Sequence, residues 1–208
     1  MFRSRGATVT PECRHSAGDG WCPVLCWHWL WELPNICGMD RMAAFTIREV
    51  APEELDVVLR MNEMAVPHVN SLAMEEMRDL RNQAAYFRVA TTGDPGSLDA
   101  FLIGLTPDAK YDSPNFLWFC RNYPSFAYID RIAVAERARR HGLASALYED
   151  FERHFSGRFP MLACEVNLRP SNPASMKFHL RHGFRQVGAQ VIDNGAKEVA
   201  MMVKVLPP

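Results

Sequence analysis

Apolar side chains recur along this chain with two periods, and the places where the period changes mark out its elements. From Ala44 the alternation Phe45-Thr46-Ile47-Arg48-Glu49-Val50 predicts a strand, after which Pro52 opens a helix carrying Leu55, Val58, Leu59 and Asn62 on one side. A second helix is predicted to start after Ser71, a residue able to cap it, with Leu72, Met77 and Leu80 as its buried stripe. Tyr86–Thr91 and Ala100–Leu105 read as two strands around the turn-rich Thr92–Ser97, hence a hairpin. Asp108 to Ser125 then reads as a long connection, unusually aromatic through Tyr111, Phe116, Trp118, Phe119 and Tyr123. A connection of that length is a candidate lid over the core or wall of a pocket.

The second half is more sharply bounded. Tyr128, Asp130, Ile132 and Val134 alternate with Ile129, Arg131 and Ala133 as in a strand, and Leu143, Leu147, Phe151 and Phe155 recur every four residues as on one helix face. Met161–Asn167 is a further strand. Asn172 as cap, Pro173 at the first helical position and Gly183 at the left-handed stop then delimit a short helix. Phe184–Ile192 and Val199–Val205, joined by Asp193-Asn194-Gly195, predict a closing hairpin.

The first 43 residues differ in kind. Trp21, Trp27, Trp29 and Trp31, four of the five tryptophans, lie there in WCPVLCWHWLWEL. That run is shorter than a membrane span and holds His28 and Glu32. As a signal peptide it lacks small-residue cleavage chemistry after Leu33. Cys13, His15, Cys22, Cys26, His28 and Cys37 lack the C-x-x-C spacing of a structural zinc site, so no metal is predicted. Residues 1–43 are read as an extension outside the fold, with Met39 and Met42 as alternative starts, and 44–208 as the domain. A 48% hydrophobic fraction gives that domain ample core. A net charge of −1 provides no global field to recruit nucleic acid or a membrane surface. Only Cys120 and Cys164 of the six cysteines lie in the domain, which suits a reducing, cytoplasmic setting.

Chemistry enters at Arg139-Arg140-His141-Gly142-Leu143-Ala144, between a strand and a helix. Such a turn aims backbone N–H groups at the positive end of the helix, a seat for a pyrophosphate-like anion; the competing reading is a solvated basic loop. The motif R-x-x-G-x-A at Arg139, Gly142 and Ala144, with N-P-A-S-x-x-F-H-x-x-x-G-F at Asn172–Phe184 and the element order above, resembles the GNAT (Gcn5-related) N-acetyltransferase superfamily over about Ala44–Val205, and within it bacterial predicted acetyltransferases without a settled substrate.

The resemblance implies an α/β fold of the α+β type. Its central mixed, mostly antiparallel sheet of about seven strands splays between the fourth and fifth, with helices on both faces. It also implies acetyl-CoA as co-substrate, no metal, and a small-molecule or peptide amine as acceptor, in a monomer or homodimer. The pyrophosphate would sit on the amides of Arg140, His141, Gly142, Leu143 and Ala144, beside Arg139. Ile132 and Val134 would bind the pantetheine arm, and Asn172 and Ser175 its far end. An alkylamine is protonated at neutral pH, its pKa being ~10.4, so transfer needs a base. Asp130 and Glu165 are the candidates, and each has a structural alternative, an ion pair with a neighbouring arginine for Asp130 and a solvated strand end for Glu165. His179 departs from the tyrosine of many relatives and is the candidate acid, or a hydrogen-bonding residue only. His68, Tyr111, Phe116, Trp118 and Tyr128 are candidate acceptor contacts. Cys164 reads as a small hydrophobe, so direct transfer in a ternary complex is expected. The alternatives are a non-catalytic acetyl-CoA-binding module, or a protein N-terminal or lysine acetyltransferase.

Overall fold

The computed structural model describes residues 45–93 and 97–207. The extension predicted at 1–43 and the middle of the turn at 94–96 lie outside these residues. The elements are β1 (Thr46–Glu49), α1 (Leu55–Met64), α2 (Met74–Gln83), β2 (Tyr86–Thr91), β3 (Ala100–Leu105), α3 (Pro114–Asn122), β4 (Ala127–Val134), α4 (Leu143–Phe155), β5 (Met161–Arg169), α5 (Pro173–Arg181), β6 (Arg185–Ile192) and β7 (Lys197–Val205). The strands form one seven-stranded sheet in the order β1-β2-β3-β4-β5-β7-β6. Every neighbouring pair is antiparallel except β4 and β5, which α4 connects as a crossover.

Both faces of the sheet are covered, as the alternation of its strands requires. Phe101 and Ile103 of β3 face α1, α2 and α3, where Val58, Met77, Leu80, Phe116 and Phe119 complete one core. Ala100 and Leu102 face the other way, onto Leu143, Leu147, Phe151 and Phe155 of α4. Burying each of these large α4 side chains stabilises the fold by roughly 2 kcal/mol. The four-residue recurrence seen in the sequence is thus the stripe that seats α4. Gly104 makes that seat possible, because a Cβ there would lie 2.2 Å from Phe151 Cε2.

Three sequence expectations need correction. The connection Asp108–Ser125 contains helix α3, started by Pro114 in its first turn and buried through Asn115, Phe116 and Phe119. Its aromatic residues are a helix stripe and core. Second, α2 begins at Met74 and Ser71 does not cap it; the Glu76 carboxylate accepts from the Ala73 N–H, and the Ser71 hydroxyl donates to Glu63.

The third correction bears on the site. Gly104 of β3 pairs with Ile129 but Ile103 pairs with Arg131, so Asp130 is the extra residue of a β-bulge. A bulge shifts side-chain parity. Tyr128 and Ala133 therefore join the core under α1, whereas Ile132 and Val134 pack on the α4 side, and the simple alternation read from the sequence holds only as far as the bulge. Asp130 and its neighbour Arg131 both end up in a cavity.

Candidate active site

β4 and β5 are paired at only two positions, Ala127 with Leu162 and Tyr128 with Ala163. Beyond these the strands diverge, as the bulge bends β4 away while β5 keeps its register with β7 from Met161 to Asn167. The gap holds two adjoining cavities that share His68, Val69 and Ile132.

The wider cavity, about 850 Å³, runs along Ile132–Arg137 to Arg139 and is faced by Met61, Met64 and Val66 at the end of α1. At its lower end the chain turns into α4. Arg140 (φ 67°) and Gly142 (φ 82°) are both left-handed, and Gly142 is the N-cap of the helix. Residues of alternating hand curl the backbone into a concave nest of N–H groups, and the first turn of α4 adds amides with no partner inside the helix. Leu143 anchors this turn in the core, while His141 stays exposed and Ala144 is half-buried. A pyrophosphate carried on a long flexible arm fits this combination of nest and groove.

The smaller chamber, about 130 Å³, lies between the splayed strands under α1 and α5. Of the residues singled out in the sequence, Asp130, Glu165, Ile132, Asn172, Ser175, His179, His68 and Tyr111 line it. Val134 and Arg139 line the groove instead. Phe116 and Trp118 line neither cavity: Phe116 lies in the core against Tyr128, and Trp118 packs on Gly188 of β6. Tyr128 is fully buried behind the chamber and reaches it through its hydroxyl.

Glu165 is the focus of the chamber. Tyr128 Oη donates to it at 2.6 Å and Asn115 Nδ2 at 3.0 Å, and Gln190 in turn donates to Asn115 Oδ1. Burial pushes its carboxyl pKa up to about 7; the Tyr128 hydrogen bond opposes the rise, and nearby Asp130 adds to it. Asp130 itself is held by Arg131 Nε at 2.5 Å, both side chains being 4% exposed. Arg131 also donates to Asn62 Oδ1 at 3.0 Å, and Asn62, fully buried in α1, donates to the Asn70 carbonyl. That chain fixes the α1–α2 loop over the chamber.

The floor is a pair of rings. His179 Nδ1 lies 2.8 Å from the Ser175 carbonyl, which can only accept, so the proton of the neutral ring is on Nδ1. Nε2 then accepts from Tyr148 Oη at 2.7 Å. Burial lowers the His179 pKa and raises that of Tyr148 well above its usual range, so both are uncharged at neutrality. Asn172 caps α5 by accepting from the Ser175 N–H, which explains how this stretch positions His179.

The sequence reading missed Tyr148, Asn115, Asn62, Asn70 and Lys197. Tyr148 falls beside the four-residue stripe of α4, and Asn62 and Asn115 are buried polar residues on otherwise apolar helix faces. That last feature is a visible signal, since a buried amide needs partners.

Residues 102–184 match the model of the acetyltransferase (GNAT) family. No curated protein matches the sequence. Among solved structures, the ribosomal-protein-S18-alanine N-acetyltransferase from Escherichia coli is similar with a TM-score of 0.60 at 18% identity, over 79% of this chain and 96% of that one. Ard1 from Thermoplasma volcanium gives 0.62 at 23% identity, over 79% and 99%. Arabidopsis thaliana NAA60 in complex with acetyl-CoA gives 0.61 at 17%, over 78% and 100%. At these identities the likeness is one of fold, the open mixed sheet with its parallel β4–β5 pair.

Proposed function

Because residues 102–184 carry a GNAT-family acetyltransferase domain within a GNAT fold, we propose that this protein moves an acetyl group from acetyl-CoA to the primary amine of a small molecule, directly, in a ternary complex. The observation that carries the reading is Glu165, a carboxyl at the strand splay with its pKa near 7 and two hydrogen-bond donors holding it in place. A base with that pKa is half in its carboxylate form at neutrality and can take the proton of an incoming ammonium.

Acetyl-CoA supplies the activated thioester. The chain's own part is to seat the anion on the Arg140–Ala144 turn, to line the arm with Ile132 and Val134, and to hold the amine at Glu165. Asp130, neutralised by Arg131, serves as a fixed dipole beside the amine rather than as a second base. Tyr148 donates its single O–H to His179 Nε2 on the chamber floor, and rotating that O–H from the ring to the sulfur supplies a neutral donor for the negative charge that develops there. His179 is in this reading a positioning residue. Cys164, with its thiol pKa raised by burial, takes no acetyl group.

A small acceptor is favoured because Lys197 Nζ and Asn70 Oδ1, 3.0 Å apart, bridge the β6–β7 hairpin to the α1–α2 loop across the chamber. The competing acceptor is an amine on a protein, the Escherichia coli neighbour being named for an alanine of ribosomal protein S18. CoA release measured with acetyl-CoA and a panel of small amines and short peptides tests both. Turnover on small amines that falls at least hundredfold in Glu165→Gln is the expected result. Peptide-only turnover sinks the small-acceptor reading, and acetyl-CoA binding without turnover on any amine sinks the enzyme.

A further inference from the structure

The acceptor chamber has two electrostatic ends. At the inner end are the carboxyls of Glu165 and Asp130, the latter already paired with Arg131. At the outer end is Lys197, whose ammonium donates to the neutral Asn70 Oδ1; among the described residues no carboxylate pairs with it. Lys197 nevertheless lies close enough to Glu165 to pull that carboxyl's pKa downward. The two groups therefore share one field across the chamber.

Their spacing follows from the sheet. Glu165 is opposite Met201, Asn167 is opposite Val199, and Lys197 is the next residue of that row on β7. At about 3.4 Å per residue, the backbone positions of Met201 and Lys197 are roughly 14 Å apart, a gap that the long lysine side chain shortens. Between them the lining is uncharged: Asn167, whose amide donates to the His68 carbonyl at 3.4 Å, together with Val166 and Val69.

We propose that the acceptor is an amine bearing an anionic group, carboxylate or phosphate, several bonds from the nitrogen, with the amine at Glu165 and the anion on Lys197. This rests on the acetyl-transfer reading above and narrows it to a substrate class. Lys197 is a compact point charge, which attracts either kind of anion without a bidentate preference. The same charge repels the second ammonium of a diamine, so polyamines are disfavoured. An α-amino acid brings its charges too close together to reach both ends. A chain-like ω-amino acid or ω-aminoalkyl phosphate reaches both.

The test uses the full chain with acetyl-CoA and reads kcat/KM for three matched series of increasing length: alkylamines, ω-amino acids with ω-aminoalkylphosphonates, and diamines. The expected result is a preference of tenfold or more for the anionic series over equal-length alkylamines, greatest at four to six methylenes, with diamines poorest. In Lys197→Met that ratio should fall to near one. Equal or better turnover of alkylamines or diamines overturns the proposal, as does a preference that survives Lys197→Met. No turnover on any member while acetyl-CoA still binds overturns the small-acceptor reading and this inference with it. Turnover without charge preference overturns this inference alone.

Discussion

Replacing Glu165 by glutamine should change the dependence of stability on pH in a way few other single changes would. In the folded protein the Glu165 carboxyl has its pKa raised from 4.5 to about 7, with burial as the main cause. A raised carboxyl means that the native state holds a proton which the unfolded chain releases. Stability is therefore greatest below pH 4.5 and is lost as pH rises through about 7. At about 1.4 kcal/mol per pH unit the loss is roughly 3 kcal/mol, trimmed to ~2–3 kcal/mol because part of the carboxyl faces the chamber and its solvent. Glutamine stays uncharged throughout. It keeps a carbonyl for Tyr128 but has no second acceptor for Asn115, a pH-independent cost of about 1 kcal/mol. Urea denaturation of both proteins at half-unit steps from pH 4.5 to 8.5 gives the difference directly. Other titrating groups act on both proteins and cancel. The wild type should lose ~2–3 kcal/mol relative to the variant, nearly all of it between pH 4.5 and about 7 and half of it by about pH 6, while the wild-type kcat/KM should rise with a midpoint near 7. Parallel stability curves would refute the assignment, because they would mean that Glu165 is ionised at no cost and is poorly placed to be a base.

Three further changes probe the rest of the site. Gly142→Glu should weaken acetyl-CoA binding at least hundredfold by calorimetry while lowering Tm by only a few degrees, since a Cβ there meets no atom within 4 Å and the cost is that of a left-handed residue, about 1–2 kcal/mol; unchanged affinity would remove the anion from this turn. Tyr148→Phe strips the donor from buried His179 Nε2 and should cost about 1–3 kcal/mol in a urea melt, with kcat falling more than KM changes; an unaltered kcat would leave the pair a purely structural contact. Gly104→Ala drives a methyl into Phe151 and against the Tyr128 carbonyl, 3.2 Å away, and should destabilise by about 1–3 kcal/mol, partly recovered by adding Phe151→Leu; a neutral Gly104→Ala would show that α4 is free to shift.

What the sequence revealed of this architecture tracks what is local. The stripe Leu143-Leu147-Phe151-Phe155, the Asn172 cap and the Gly142 turn are set by residues within one or two turns of each other, and the structure places them where the pattern did. The bulge at Asp130 is different. It depends on how β4 fits β3 and α4, and one inserted residue reverses the faces of Ile132 and Val134 without leaving a mark in the pattern. Helix α3 was hidden because Pro114 resembles a turn signal and its apolar residues were too aromatic to look like an ordinary stripe. The environment of Glu165 was beyond reach for a further reason: its donors Tyr128 and Asn115 lie 37 and 50 residues away in the chain. Only the fold brings them together.

The two paired positions between β4 and β5 have a mechanical consequence. On either side of this seam the antiparallel strands are laced by long ladders, from β1 to β4 and from β5 to β6, whereas across it the halves meet mainly through side chains such as Tyr128, Ala163 and Met201 in one core and Ile129, Cys164 and Met202 in the other. Side-chain contacts are soft over a few tenths of an ångström, and hydrogen-bonded ladders are not. The seam is therefore the line of this sheet along which the slot can change width without breaking an antiparallel ladder.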